Sequence, residues 1–425
     1  MERFTGLIGV VLIFALAFLL SNNRKAINYR IVLSGLAIQL LLAVFILKTS
    51  VGKHVFSWLG EKVSKLLDFS HVGATFVFGP LTDRLFLNKA FGPEVNTIFF
   101  FSIIPTIIFV AVLVSVAYHL GIMQRVVKAV AIVVYKLMGV SGAEALSNVA
   151  STFVGQVEAQ IMIKPFLKGM TMSELLASMA GSMACIAGGV MAVYISFGVP
   201  AEYLLAASIM AAPGALVISK IVWPETEVSE TKGKVSLEIK KADANLVDAI
   251  SHGASDGLKV GLNVIAMLIG FIAIIALVDY ILGKIGFFMG NNLHASLGFI
   301  GIDLKTLSLK QILGALFSVF AWSMGVPGKD VRTVGSLMGT KMVLNEFVAY
   351  LELIKIKASL TPKALLISSF ALCGFANFSS IAIQVGGIGE LAPERRHDLA
   401  KLGMKALICG TLASYLSATI AGILM

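Results

Sequence analysis

The chain has 425 residues, of which 57% are hydrophobic and only 14% charged, with a formal net charge of +10. Soluble domains carry about 25% charged residues, so this composition excludes an ordinary soluble enzyme and indicates a polytopic membrane protein. The apolar segments do not alternate apolar and polar residues, which excludes a membrane β-barrel and predicts an all-α fold. The basic residues occur in short stretches between apolar segments, so the positive charge predicts membrane topology rather than nucleic-acid binding.

Eight apolar segments approach the roughly 20 residues that a membrane-spanning helix needs. We predict spans near residues 6–21, 31–47, 98–120, 174–196, 202–222, 258–283, 363–388 and 401–424. The first is predicted to be a true span rather than a cleaved signal, because the strong positive charge follows it. The basic loops alternate between the two sides, which predicts that both termini lie outside and that the long polar loop 224–250 is cytoplasmic.

Two regions, 141–170 and 328–360, do not fit this scheme, because they carry Glu, Gln, Asn and Lys in their middles. Each is too short and too polar to cross the membrane, so we predict a re-entrant helical hairpin in both. Non-helical backbone at membrane depth is tolerated only where it is buried in protein or lines a cavity. The segment 311–327 is ambiguous, since hydropathy alone would allow a ninth span.

The two predicted hairpins belong to an internal repeat. The motif MGVSG at 138–142 returns as MGVPG at 324–328, and Glu158 and Glu346 follow these motifs by 16 and 18 residues. Three spans separate the hairpins if 311–327 does not cross, so the two copies are predicted to have opposite orientations. Inverted repeats of this kind occur in secondary transporters, whose substrate site lies near the membrane midplane where the copies meet.

The repeat also predicts where the following helices begin. Ser173 lies fifteen residues after Glu158, and Thr361 lies fifteen residues after Glu346. Both residue types are favoured helix N-caps, and Pro362 suits the first helical position after Thr361.

A glutamate at membrane depth costs several kcal/mol unless it is paired or functional. Because Glu158 and Glu346 occupy equivalent positions, we predict a binding site at the hairpins. The alternative, a pair of buried salt bridges with Lys164 or Lys341, does not explain the amide residues that lie close to both glutamates.

Asn377 and Ser380 are three residues apart and are predicted to share one face of a helix. Their alternative role is hydrogen bonding between helices. Together with the hairpin residues they predict a neutral-to-acidic site, which suits a polyhydroxylated or heterocyclic solute. A phosphate is not expected, because the chain has no arginine cluster and no P-loop. The three cysteines and six histidines form no CxxC or HExxH pattern, so no disulfide, metal enzyme or other cofactor is predicted.

Four motifs give the chain a specific resemblance: GQVEA at 155–159, PETE at 224–227, NEFVAY at 345–350 and CGFANFSSIAI at 373–383. In combination they resemble the concentrative nucleoside transporter family, over nearly the whole chain. The resemblance implies a homotrimer in the bacterial inner membrane, surrounded by lipid. It also implies a scaffold domain and a transport domain that moves past it like an elevator, with eight transmembrane helices, two hairpins and 311–327 outside the count of spans.

The resemblance further implies which residues bind the nucleoside. Carboxylates accept hydrogen bonds from hydroxyls, while Asn and Ser both donate and accept, so the implied ribose contacts are chemically suitable. Loss of a buried hydroxyl partner is costly, which predicts a preference for ribose over deoxyribose or a bare base. The implied residues are Gln156, Glu158, Val157, Val190 and Phe375 at the nucleobase, and Glu346, Asn377 and Ser380 at the ribose.

The family's sodium site is only partly matched. Cys185 stands where the family has a serine ligand, and a thiol is a poor ligand for a hard cation. Val157 also replaces the Thr or Ser that usually follows GQ. Water or Ser151 is one way to fill the gap, and a proton carried by Glu158 or Glu346 is the alternative coupling ion. The positions implied for sodium are Ser151, Val154, Cys185 and Ile186.

The sequence therefore predicts a symporter that imports uridine-like nucleosides, driven by sodium or protons. Alternatives are an ion-coupled transporter of another polar solute such as a nucleobase, a channel, and an intramembrane enzyme, for which no paired catalytic motif is present. The expected divisions are N-terminal scaffold spans (1–125), a first repeat (126–223), a cytoplasmic loop (224–257), a scaffold span with an interfacial helix (258–310) and a second repeat (311–425).

Overall fold

The computed structural model describes residues 2–92, 98–232, 243–292 and 302–425. Part of the predicted cytoplasmic loop, residues 233–242, lies outside the described residues, as do Lys234, Lys240 and Lys241 that supported its placement. The α-helices of the described residues are, in chain order, α1 (Glu2–Leu19), α2 (Tyr29–Lys48), α3 (Ser50–Phe78), α4 (Arg84–Phe91), α5 (Phe99–His119), α6 (Ile122–Met138), α7 (Gly142–Ala150), α8 (Glu158–Ile161), α9 (Met172–Ala184), α10 (Gly188–Ser196), α11 (Ala201–Val222), α12 (Leu246–Asn292), α13 (Leu309–Ser323), α14 (Val331–Val343), α15 (Glu346–Ile356), α16 (Pro362–Leu372), α17 (Phe378–Leu391) and α18 (Arg396–Leu424).

Six helical segments of the described residues are long and apolar enough to cross a membrane. Four match predicted spans closely, whereas Leu246–Gly290 begins twelve residues before the predicted start at 258 and Pro393–Leu424 begins eight residues before the predicted start at 401. The remaining predicted spans, 6–21 and 363–388, correspond to shorter apolar helices. The six are Tyr29–Lys48, Phe99–His119, Met172–Ser196, Ala201–Val222, Leu246–Gly290 and Pro393–Leu424.

Two predicted spans, 174–196 and 363–388, are not continuous. The first is interrupted after α9, whose C-cap is Cys185, and the second after α16, whose C-cap is Cys373. Gly374 has φ +117° in the second break. A side chain there would collide with backbone carbonyls at the end of α9, so only glycine allows the two broken helices to cross this closely.

Both predicted hairpins are present as pairs of short helices. The first consists of α7 and α8, and the second of α14 and α15. The ambiguous segment 311–327 forms α13, which is 15 residues long and packs along α14, as α6 packs on α7. The repeat therefore comprises an entry helix, a hairpin, a broken helix and a final span, from α6 to α11 and again from α13 to α18.

One predicted helix cap is wrong and the other is confirmed. Thr171, not Ser173, begins α9, because Thr171 and Glu174 form a capping box in which each side chain accepts from the other's backbone N–H. The hydroxyl of Ser173 instead donates to the backbone after α11. Thr361 caps α16 as predicted, with proline at the first helical position.

A long helix, α3, is absent from the predicted elements. Its 29 residues carry several charges that lower its hydropathy, although its buried residues recur at helical spacing: Gly52, Phe56, Gly60, Leu67, Ser70 and Ala74. The helix packs against α2, α5 and α11. It therefore supports the bundle from outside the repeat.

The core of the molecule lies between the two copies of the repeat. In the most apolar stretch of α11, 89% of the residues are buried, and in that of α18 83% are buried. In the most apolar stretch of α12 only 6% are buried. Because α11 and α18 also pack on each other and on the broken helix α9, they form the centre of the molecule, and the first hairpin packs on α9 and α11 through α7. The helix α12 packs along α5 at the periphery.

Candidate functional site

The helix breaks and the first hairpin meet at the centre of the molecule. The backbone N–H of Phe375, in the break after α16, donates to the carbonyl of Cys185 at 3.3 Å. The N–H of Gly188, at the start of α10, donates to the carbonyl of Phe153 in the first hairpin at 3.0 Å. These bonds bring together several helix ends, whose unpaired N–H and C=O groups can bind polar ligands.

Glu346, Asn377 and Ser380 are brought together as predicted, but by a different geometry. One carboxylate oxygen of Glu346 accepts from the amide of Asn377 at 3.1 Å. Asn377 is the N-cap of α17, and its side-chain oxygen accepts from the backbone N–H of Ser380 at 2.9 Å. The prediction that both residues share a helix face is therefore corrected, because Asn377 precedes the helix and caps it.

Tyr194 of α10 belongs to the same cluster and was not predicted. Its hydroxyl donates to the second carboxylate oxygen of Glu346 at 3.0 Å. The ring of Tyr194 packs against Phe347 and Tyr350, with ring centroids 5.7 and 4.4 Å away. Its one signal in the sequence is a tyrosine within an apolar helix, which also fits ordinary packing.

Gln156 links the two repeats. Its amide nitrogen lies 3.5 Å from the Ser380 hydroxyl, and its oxygen accepts from Gln384 of α17 at 3.3 Å. Gln384 in turn donates to the carbonyl of Met179 on α9. The predicted base-binding and ribose-binding residues are thus joined by direct hydrogen bonds across the repeat.

Glu158 faces a large cavity instead of being buried. It is the first residue of α8, is exposed, and forms no ion pair among the described residues, so the proposed bridge to Lys164 is not formed. The cavity has a volume of about 1180 Å³, ample for a small polar molecule. The predicted base-binding residues all line it: Gln156, Val157, Glu158, Val190 and Phe375.

The ribose-binding group predicted at Glu346, Asn377 and Ser380 is buried beside this cavity and does not line it. The structure therefore divides the predicted site residues into an open set that lines the cavity and a closed set, on the second repeat, that does not. Gln156 belongs to both sets, since it lines the cavity and contacts Ser380.

The cavity lies between the first hairpin and the peripheral helices α5 and α12. Its lining includes Tyr118, Gln124, Asp243, His252 and Glu394. These residues adjoin the loops that the distribution of basic residues predicts to be cytoplasmic. The opening of the cavity therefore faces the predicted inside.

The positions implied for sodium lie next to each other, but their polar groups already have partners. The hydroxyl of Ser151 donates to the carbonyl of Ser147 at 2.8 Å and lies 2.9 Å from the hydroxyl of Ser182. The thiol of Cys185 lies 3.7 Å from the hydroxyl of Thr152. Val154 and Ile186 are both buried at the same place.

Hydroxyl oxygens that could bind a hard cation lie at this position despite the thiol. The hydroxyls of Ser151, Thr152 and Ser182 are the type of ligand that such ions prefer. Thr152 and Ser182 were not predicted, although Ser182 lies only three residues before Cys185 in the sequence.

A buried polar network attaches the first hairpin to α9. Gln160 accepts from Ser178 at 2.5 Å and donates to Ser182 at 2.7 Å and to Ser147 at 3.1 Å. This network was not predicted from the sequence. Because its groups are satisfied within one copy of the repeat, it holds the hairpin in place near Ser151.

Three family models cover most of the chain. They are described as the Na⁺-dependent nucleoside transporter N-terminus, at residues 8–81, the nucleoside recognition gate, at 100–201, and the Na⁺-dependent nucleoside transporter C-terminus, at 203–422. Two of them describe Na⁺-dependent nucleoside transporters, the third describes nucleoside recognition, and none describes an enzyme.

Individual relatives agree with the family models. The Bacillus subtilis transporter YutK is 44% identical, with 98% of each chain aligned. The nucleoside permease NupC of Helicobacter pylori is 36% identical over 98% of this chain and 96% of the relative. The rat sodium/nucleoside cotransporter 1 is 37% identical over all of this chain and 64% of the relative.

Solved structures of CNTnw share the fold. At 38% identity, the TM-score is 0.92 for an inward-facing substrate-bound state and 0.90 for an outward-facing state of a variant. Each comparison covers the whole of this chain and 98% of the other. From the family models, the relatives and the shared fold, it follows that the chain belongs to the family of Na⁺-dependent, or concentrative, nucleoside transporters.

Proposed function

We propose that the protein is an ion-coupled symporter that imports uridine-like nucleosides into the cytoplasm. The observation that carries this proposal is the hydrogen-bonded connection from the cavity residue Gln156 through Ser380 to Asn377 and Glu346. It joins groups suited to the edge of a base with groups suited to sugar hydroxyls. A solute that carries both parts matches the whole arrangement.

The two parts of the site have different tasks in this proposal. Gln156 and Glu158 bind the edge of the nucleobase, and Val157, Val190 and Phe375 pack against its faces. Glu346, Asn377 and Ser380 bind the ribose hydroxyls. These three side chains now bond to each other or to Tyr194 and Gln156, so an incoming ribose exchanges hydrogen bonds rather than leaving charges unpaired.

We further propose that the site moves as a unit. The transport domain comprises 126–223 and 311–425, and the scaffold comprises 1–125 and 258–310, connected by the cytoplasmic loop 224–257. The cavity supports this division because it lies between the first hairpin and the scaffold helices α5 and α12. The likeness to inward-facing and outward-facing structures of one transporter supports an elevator movement. A homotrimer in the bacterial inner membrane completes the proposal.

Sodium is the proposed coupling ion. The hydroxyls of Ser151, Thr152 and Ser182 supply hard ligands beside Cys185, and the backbone carbonyls of Val154 and Ile186 are the further candidates. A proton remains the alternative ion, carried by Glu158 or Glu346.

The decisive experiment is uptake of radiolabelled uridine by the protein in liposomes, with sodium and pH gradients imposed separately. Accumulation driven by sodium supports the proposal, and accumulation driven only by a pH gradient replaces sodium with a proton. Uracil competing as strongly as uridine identifies a nucleobase transporter. Downhill equilibration alone, without accumulation in either gradient, identifies a channel.

Uridine binding by the variant Glu346→Gln tests the ribose assignment. The substitution removes a charged acceptor, so uridine binding should weaken by about 2–3 kcal/mol, or roughly 30-fold to 150-fold. Glu390→Gln is the control, because Glu390 is exposed on α17. Uridine binding that stays tight in Glu346→Gln contradicts the assignment.

A further inference from the structure

Lys341 is a buried cation that the proposed transport site does not use. It lies in the last turn of α14 and is 1% exposed. Its ammonium donates to the carbonyls of Ala371 at 2.9 Å and Cys373 at 3.4 Å. Among the described residues no carboxylate forms an ion pair with it, so the bridge to Glu346 considered from the sequence is not formed. A buried ammonium is costly without partners, which indicates a specific role.

The partners of Lys341 are the carbonyls at the end of a helix. Ala371 lies in the last turn of α16, and Cys373 is its C-cap. The last carbonyls of a helix lack intrahelical partners and carry partial negative charge. The ammonium therefore occupies a position where the backbone itself favours a cation.

The first repeat has the same helix end, but no Lys or Arg of the described residues donates to it. Cys185 ends α9 as Cys373 ends α16, and the two are 188 residues apart, like Glu158 and Glu346. The first hairpin places the neutral hydroxyl of Thr152 at 3.7 Å from the thiol of Cys185, and the Cys185 carbonyl accepts only a backbone N–H, that of Phe375, among the described residues. The second hairpin approaches Cys373 with the ammonium of Lys341.

We propose that Lys341 is a tethered cation that takes, in the second repeat, the place that the coupling ion takes in the first. This inference rests on the proposed function, because the first-repeat position is the proposed sodium site. The second repeat then needs no free ion to stabilise its broken helix. Lys341 also lies five residues before Glu346, so it supplies positive charge to the hairpin whose carboxylate receives the ribose. It acts as a positioning residue, since it reaches the nucleoside site only through Glu346 and the end of α16.

The experiment is chemical rescue of Lys341→Ala, which removes the ammonium and leaves room for a small cation. Uridine affinity is measured by calorimetry on the purified protein, with ethylammonium chloride or choline chloride at equal concentration. We expect Lys341→Ala to bind uridine at least about tenfold more weakly in choline, because two buried carbonyls lose a charged donor. Ethylammonium should restore affinity to within about threefold of the wild type.

Two further variants make the comparison specific. Lys341→Met fills the space without charge, so ethylammonium should not restore its affinity. Lys329→Ala removes an exposed lysine at the base of the same hairpin and should bind uridine like the wild type in both salts. Wild-type affinity in Lys341→Met, or a folded Lys341→Ala that ethylammonium fails to rescue, overturns the proposal.

A second readout separates this proposal from the transport function. Ethylammonium should raise the melting temperature of Lys341→Ala but not that of the wild type or Lys329→Ala. If Lys341→Ala folds poorly, purification in ethylammonium should recover folded protein. If ethylammonium raises neither the yield nor the melting temperature of Lys341→Ala, the result contradicts the tethered-cation proposal. Absence of uridine binding by the wild type contradicts the nucleoside proposal instead, and the melting temperatures still decide the role of Lys341.

Discussion

At the scale of single residues, the sequence reveals polar groups in apolar surroundings better than it reveals their partners. Glu346 and Asn377 could be selected from the sequence because charged and amide side chains at membrane depth need partners or a function, and Ser380 could be selected by its spacing from Asn377. Tyr194 could not, since a tyrosine in an apolar helix is equally suited to packing. Its hydrogen bond to Glu346 depends on how α10 and the second hairpin meet, which only the fold determines.

Tyr194→Phe tests the contribution of this hydroxyl. The ring keeps its contacts with Phe347 and Tyr350, but Glu346 loses one donor. We expect uridine affinity to fall by about 1–2 kcal/mol, or roughly fivefold to thirtyfold, because a charged acceptor loses a hydrogen bond. The measurement is uridine binding by calorimetry.

A matched control exists for this change. Tyr415 is also buried, and its hydroxyl has no hydrogen-bond partner among the described residues. Tyr415→Phe should therefore leave uridine affinity unchanged. Equal effects of the two substitutions would show that Tyr194 acts through packing alone.

Cys185→Ser tests the proposed ion position. A hydroxyl is a better ligand for a hard cation than a thiol, so the sodium concentration for half-maximal uptake should fall by roughly threefold to tenfold. Cys409→Ser, at a buried site in α18, is the control and should not change it. An unchanged sodium response in Cys185→Ser places the ion elsewhere or makes a proton the coupling ion.

At the scale of elements, hydropathy predicts most spans but not their interruptions. The breaks at Cys185 and Cys373 lie in largely apolar segments, and the polar residues close to them, such as Ser182 and Asn377, are equally compatible with an unbroken helix. Hydropathy also misses α3 altogether, because its charged residues lower the hydropathy of a helix whose buried residues recur at regular spacing. The hairpins could be predicted because their short apolar lengths and central polar residues exclude a simple span.

Gly374→Ala tests the crossing of the two broken helices. With φ +117° and backbone carbonyls of the end of α9 close by, an added methyl group both strains the backbone and displaces α9. We expect a loss of about 1–3 kcal/mol in the free energy of unfolding, seen as a lower melting temperature, and weaker uridine uptake. Gly386→Ala is the control, because a side chain there meets nothing within 4 Å. A normal melting temperature in Gly374→Ala contradicts this packing.

At the scale of the whole molecule, the proposed elevator requires the two domains to slide, and a covalent link between them should stop transport. Gly60, on α3 of the proposed scaffold, lies opposite Ala201 at the start of α11, with a Cβ–Cβ separation of 3.1 Å for a side chain built at Gly60. Cysteines at these positions come close to disulfide geometry after a small shift. Neither residue lines the cavity.

The Gly60→Cys/Ala201→Cys pair should therefore lose nearly all uridine uptake on oxidation and regain it on reduction, while uridine binding persists. The controls are the single variants Gly60→Cys and Ala201→Cys, which cannot form the link and should transport normally after the same oxidation. The three native cysteines are buried, so they do not compete for the oxidant. Full transport by the oxidised pair would mean that α3 and α11 move together. In that case either α3 belongs to the transport domain, or transport uses a movement confined to the hairpins instead of sliding.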